Sequence, residues 1–202
     1  MDGKNIFLAL SMTILAACGF GRESAPARFY ALNTPAVQQI RGPQKSVNVA
    51  IENVSVPQSV DRPQIVVKEK DSNIMNVSEF DRWIEGLNTA LPVSISENIN
   101  MYAKNINARP GRNAASIGVA KYIVSVDFVK FETELDGEIT MAAWWTVSNN
   151  HGDVLVQKKT NLSAETPESD LGGPDYDAIV AAQSQLIAKL SYKIADVISG
   201  LK

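Results

Sequence analysis

The sequence predicts an α+β fold, a single mostly antiparallel or mixed β-sheet with two long amphipathic helices packed on one face. Three β runs carry most of that expectation. Tyr122 to Glu134, Glu138 to Val147 and Val154 to Ser163 follow one another, joined by Leu135-Asp136-Gly137 and Asn149-Asn150-His151-Gly152, both favourable turn sequences. The second observation is a pair of stretches with apolar residues at helical spacing, one in mid-chain and one at the C-terminus. The third is strict alternation at Val47, Val49 and Ile51, the pattern of a half-buried strand.

From the N-terminus, Lys4 precedes an apolar run from Ile6 to Ala17, far short of the roughly 20 residues that span a bilayer. Residues 1–17 therefore read as a signal peptide. Residues 18–27 follow as an N-terminal segment and stalk rich in Gly, Ser, Ala and Pro, and 28–202 as one folded domain. Arg28 to Leu32 is a short strand closed by Asn33-Thr34-Pro35. After Ile51 the alternation slips one residue at Glu52-Asn53 before Val54 and Val56, which predicts a bulge, and Pro57 stops the strand.

Ile65 to Lys68 and Ile74 to Val77 flank Lys70-Asp71-Ser72-Asn73 and predict a hairpin. Ser78, with Asp81 three residues on, resembles a capping box. The helix expected from there carries Phe80, Ile84, Leu87, Leu91, Ile95, Ile99 and Tyr102 on one face, with Pro92 kinking it or starting a second helix. Arg109 to Asn113 reads as a turn or loop. Asp175 or Asp177 can cap the last helix, whose apolar stripe runs from Tyr176 to Leu201. Its polar face mixes Lys193 with Asp196, so it is expected against the sheet and not on a lipid surface.

Composition narrows the function. Net charge is −3 with mixed signs, which offers no basic field for nucleic acid. One His and one Cys cannot build a zinc site of the usual ligands, and no other metal site or cofactor is expected. The sole cysteine, Cys18, excludes an internal disulfide and leaves a buried thiol, a nucleophile, a metal ligand or a point of attachment. His151 lies in a turn sequence, and no G-x-S-x-G pattern accompanies it, so no catalytic residues are assigned. Trp144 and Trp145 are adjacent in a strand and must point to opposite faces. One belongs to the core and the other is the best candidate for an interface or an apolar ligand. Trp83 reads as core, and Asp61-Arg62-Pro63-Gln64 as either a locally paired, proline-fixed loop or a docking loop.

Leu15-Ala16-Ala17-Cys18 resembles the bacterial lipobox, which implies lipidation at Cys18 through a diacylglyceryl thioether and an amide-linked acyl chain. A plain signal peptide, or a buried helix with an incidental cysteine, is the alternative. Gly19 after the cysteine resembles lipoproteins released to the outer membrane, on its periplasmic face.

The mature chain as a whole resembles the PqiC family of ABC-type transport auxiliary lipoproteins. The resemblance rests on Arg28-Phe29-Tyr30-Ala31-Leu32, on Val56-Pro57 followed by Val60-Asp61-Arg62-Pro63-Gln64-Ile65-Val66, on Arg82-Trp83 with Leu87, and on Trp144 in Ala142-Ala143-Trp144-Trp145. It implies a non-enzymatic, outer-membrane-anchored docking component of an MCE-type lipid transport system, partnered by a PqiB-like MCE protein and assembled as a homo-oligomeric ring. Asp61, Arg62, Gln64 and Trp145 are the residues expected to meet the partner. The rival expectations are a stand-alone lipid-binding or outer-membrane assembly lipoprotein and, more remotely, a periplasmic hydrolase.

Overall fold

The computed structural model describes residues 25–35, 38–113, 118–169 and 173–201, so the expected signal peptide, residues 1–17, and Cys18 lie outside it. Within these residues the chain forms β1 (Arg28–Tyr30), β2 (Val47–Ser55), β3 (Gln64–Lys68), β4 (Met75–Trp83) and α1 (Leu87–Tyr102). It continues with β5 (Ile106–Pro110), β6 (Tyr122–Thr133), β7 (Glu138–Asn149), β8 (Val154–Glu165) and α2 (Tyr176–Gly200). The class is α+β as expected, but there are two sheets, not one. Strands β1-β4-β3 make a small sheet, and β5-β2-β6-β7-β8 a five-stranded one.

The division has a physical origin in strand length. Strand β2 pairs with β6 only as far as Ser55↔Asp127, leaving the distal half of β6 without that neighbour. Strand β3 approaches the gap but meets it at a single bridge, Lys68↔Glu134. There Leu135 N–H donates to the Lys68 carbonyl at 2.9 Å, and the Lys68 ammonium reaches Glu134 Oε2 at 2.9 Å. The two sheets are stitched at this corner.

The meander β6–β7–β8 is antiparallel throughout, and its turns place Asp136 (φ 51°) and Gly152 (φ 90°) in the left-handed region. Strand β2 lies parallel to both β5 and β6. The slip foreseen in β2 is present: the register shifts between Glu52 and Val54, with Asn53 at φ 51°. The hairpin β3–β4 also forms, turning through Asp71 at φ 51°.

Two local expectations are overturned, and one choice between alternatives is narrowed. Ser78 and Asp81 do not start a helix. The Asp81 N–H donates to Ser78 Oγ at 2.9 Å, as a capping box requires, yet the pair sits in a bulge of β4, where Gln64↔Arg82 and Val66↔Val77 bracket several unpaired residues. Phe80, Trp83 and Ile84 consequently leave the helix, which begins at Leu87 after an N-cap glycine, Gly86, that offers no side chain. Pro92 is accommodated inside α1 and starts no second helix. Arg109 and Pro110, read as the start of a turn or loop running to Asn113, instead end edge strand β5 (Ile106–Pro110), where Pro110 closes the strand and no ladder donor is needed.

Helix α1 packs on β2 and β5, α2 packs on β7 and β8, and the helices meet each other. Between them and the five-stranded sheet lies the core: Val49, Ile51, Val124, Val126, Trp145 and Val147 from the strands, with Leu91, Ile95, Ile99, Ile179, Leu186, Leu190 and Ile194 from the helices. Asp175 caps α2 by accepting from Ala178 N–H at 3.1 Å. Among the described residues, neither of the two helices packs on the other face of the large sheet.

Candidate functional site

The Asp61–Gln64 loop is a tight turn built on Pro57. The Val60 and Asp61 N–H groups both donate to the Pro57 carbonyl, at 3.0 and 3.2 Å, and Arg62 N–H donates to Val60. Val60 is buried and anchors the turn, while Asp61 and Arg62 are exposed. No ion pair joins these two. Asp61 Oδ2 instead accepts from Asn88 Nδ2 at 2.7 Å. Asn88 lies in the first turn of α1, which contains no acidic residue of its own, so Asp61 supplies negative charge at the positive end of the helix dipole. The Arg62 guanidinium is left facing solvent.

Beyond the loop the chain enters β3. Gln64 is opposite Arg82, and Arg82 is opposite Phe29, so one row of side chains crosses the small sheet on a single face. Phe29 is 59% exposed. Ile84, 60% exposed, continues that face one step along, its N–H donating to the Tyr30 carbonyl.

The opposite face of β1 holds a polar cluster. Asp81, a buried carboxylate, accepts from Arg28 Nε at 2.7 Å and Tyr30 OH at 2.9 Å on Oδ1, and from Ser78 Oγ at 2.9 Å on Oδ2. Burial pushes its pKa up, but the hydrogen bonds from Arg28, Tyr30 and Ser78 outweigh that and hold it below the ordinary value. Burial and the bond to Asp81 push the Tyr30 phenol up to about 12. These residues fasten β1, the first described strand, to β4. Nothing in the sequence marked Asp81 as buried, because the expected helix put it on a solvated first turn.

Trp145 does not take the docking role expected of it. Its ring is 1% exposed and its Nε1–H donates to Thr160 Oγ1 at 2.9 Å, so it is a satisfied core residue. Trp144 is the outward member, 44% exposed on the uncovered face of the large sheet, with Lys159 Nζ 5.8 Å from its ring centre. It stands in a row with Asp127 and Lys159. Trp83 is buried as expected, although from a strand.

The His151 side chain sits in the exposed β7–β8 turn, whose backbone is held by Asn149. Among the described residues no group of three or more His, Cys, Asp and Glu is placed to hold a metal, and no helix is long and apolar enough to cross a membrane. A shallow groove of about 230 Å³ opens between the end of β1 and α1, lined by Leu32, Trp83, Ile84, Ala90 and Val93 with Glu97 and Arg112 at its polar side. Cys18 lies outside the described residues, so its environment is not part of this geometry.

Comparison with known proteins bears on this arrangement. The family model described as "ABC-type transport auxiliary lipoprotein component" matches residues 30–195. No curated protein sequence matches the chain. Among solved structures, an uncharacterized protein aligns at TM-score 0.67 and 18% identity, covering 87% of this chain and all (100%) of its own. A Xanthomonas campestris protein of the family DUF330 aligns at TM-score 0.66 and 15% identity, covering 86% of this chain and 95% of its own. These two share the fold. A PelC dodecamer from Paraburkholderia phytofirmans is more distant, at TM-score 0.46 and 12% identity over 81% of this chain and 98% of its own.

Proposed function

Because the chain belongs to the family of ABC-type transport auxiliary lipoprotein components, we propose that it is a non-enzymatic docking subunit of an MCE-type intermembrane lipid transport system. It is held on the periplasmic face of the outer membrane by acyl chains on Cys18, and works as a homo-oligomeric ring against a PqiB-like MCE protein. The family match over nearly the whole folded domain carries this reading. The geometry supports it at two places. Arg62 stands unpaired on a loop stiffened by Pro57 and Pro63, and Trp144 stands on a sheet face that neither described helix covers. A rigid cation and an exposed aromatic are the residue types that dominate protein interfaces.

The test is co-purification after detergent extraction of the lipidated protein. The wild type should come out oligomeric and with its MCE partner, and Arg62→Ala and Trp144→Ala should lose partner while remaining folded. A wild-type protein that extracts alone and monomeric overturns the docking role.

A second reading, a stand-alone lipid-binding lipoprotein, draws on the groove beside α1. At about 230 Å³ and open to solvent, that groove falls below the usual range of small-molecule pockets. The larger clefts of about 470 and 500 Å³, one at the β2 bulge and one beside the end of α2, are also open to solvent and lined in part by polar side chains, so this reading ranks second.

A further inference from the structure

We propose that the outer face of the small sheet, centred on Phe29, Ala31 and Ile84, rests directly on the phospholipid bilayer to which the chain is tethered. The inference rests on the lipid-anchor reading of Cys18.

Exposed apolar side chains are concentrated on the small sheet and its hairpin. Five of the twelve large exposed hydrophobics among the described residues, Phe29, Ile74, Met75, Val77 and Ile84, belong to the small sheet or its hairpin. Phe29 and Ile84, at 59% and 60%, are among the three most exposed of them. The parallel register places Phe29 beside Arg82, and the next outward step places Ala31 beside Ile84, so the apolar pair is contiguous on one face.

Chain length selects the bilayer as occupant. Phe29 follows Cys18 by eleven residues. Fully extended, that tether spans about 36–40 Å, and as a coil its mean span is about 18 Å. Strand β1 is therefore the described element closest along the chain to the membrane. It cannot swing freely on the tether, because Arg28 and Tyr30 bind it to Asp81. A surface confined this close to a bilayer meets it at high effective concentration, so a few apolar side chains suffice to hold it. The charges nearby are mixed: Arg28 and Arg82 against Glu79 and Glu85. Contact should thus be driven by apolar insertion and should not require anionic lipid. Gln64 lies two strands across the sheet, which leaves the Arg62 loop available to a protein partner.

The experiment uses the mature, acylated chain in phosphatidylcholine vesicles. Acylation occupies Cys18, so Phe29→Cys and Ile84→Cys each introduce one labelable thiol for an environment-sensitive dye, with Leu155→Cys on β8 as the distant control. Expected are a blue-shifted emission at positions 29 and 84, quenched by headgroup-region spin-labelled lipid and insensitive to salt, and an aqueous spectrum at 155. Protein that floats with the vesicles but keeps aqueous spectra at 29 and 84 overturns the inference while leaving the anchor intact. A blue shift that rises with protein concentration in detergent, without vesicles, assigns the face to a second copy and also overturns it. Protein that does not float at all, with no acyl mass on Cys18, removes the anchor reading and this inference together.

Discussion

The Arg28 guanidinium lies 2.7 Å from Asp81, and this contact ties β1, the first described strand, to the middle of the small sheet. Any pull on an N-terminal anchor would reach the folded body through β1, a strand of three residues that pairs with β4 alone. Its ladder is short, so the side chains converging on Asp81 carry much of the attachment.

Asp81→Ala should therefore cost about 2–3 kcal/mol, since it removes a buried carboxylate that accepts from three part-buried donors. Arg28→Ala should cost less, because that side chain is 61% exposed and water replaces its partner. Urea denaturation gives the ranking. Limited proteolysis should show β1 cleaved early in both variants while α2 stays protected. Equal losses for the two substitutions would contradict the arrangement.

Stability should fall at both ends of the pH range. Asp81 and Glu134 have folded-state pKa values below their ordinary values of 3.8 and 4.5. For Glu134 the cause is the hydrogen bond from Lys68. Their stabilising effect is complete above those ordinary values and is lost as pH falls through the folded ones. Tyr30 behaves oppositely. Its pKa is raised from 10.0 to about 12, so its contribution is complete below pH 10 and disappears as pH climbs toward 12. Burial raises Tyr176 and Tyr102 in the same direction. Urea midpoints taken from pH 9 to 12 should drop steeply in the wild type and less steeply in Tyr30→Phe, which has one fewer phenol to ionise.

How much of this was legible in the sequence depended on how far each feature reached along the chain. The meander, the C-terminal helix and the β2 bulge are set by side chains close in sequence, through alternation, turn residues and a one-residue slip, and all three appear as expected. The Ser78–Asp81 motif was misread because its local hydrogen bond is the same in a capping box and in the bulge. What separates them is the pairing of Asp81 with Arg28, 53 residues away. Strand β5 was missed for a similar reason: five residues ending in proline acquire a strand's pattern only beside β2. For the tryptophans, alternation fixed that one faces out but not which. That choice follows from which face of β7 helix α2 covers.

Trp144 and Trp145 should separate stability from docking. Trp145→Ala removes a fully buried ring and its bond to Thr160, and should cost about 3–5 kcal/mol. Trp144→Ala should cost about 0.5–1 kcal/mol, mostly its contact with Lys159. Chemical denaturation measures both. If the outward ring proves as costly as the inward one, the uncovered sheet face must be packed in the isolated chain.

Asn53 offers a test of the docking loop from a distance. It sits at φ 51°, where an Asn is tolerated and a β-branched residue is strained. Asn53→Gly should be nearly neutral, and Asn53→Val should cost about 1–2 kcal/mol. The bulge also sets the direction in which Val54 and Ser55 leave the strand toward Pro57, the residue on which the Arg62 turn is built. Forcing regular pairing at position 53 should reorient that turn. Asn53→Val should therefore weaken partner capture at temperatures where the protein is still folded, while Asn53→Gly captures normally. If Asn53→Val retains full capture despite its measured loss of stability, the orientation of the Arg62 loop does not depend on the bulge, and the link between strand β2 and the interface is broken.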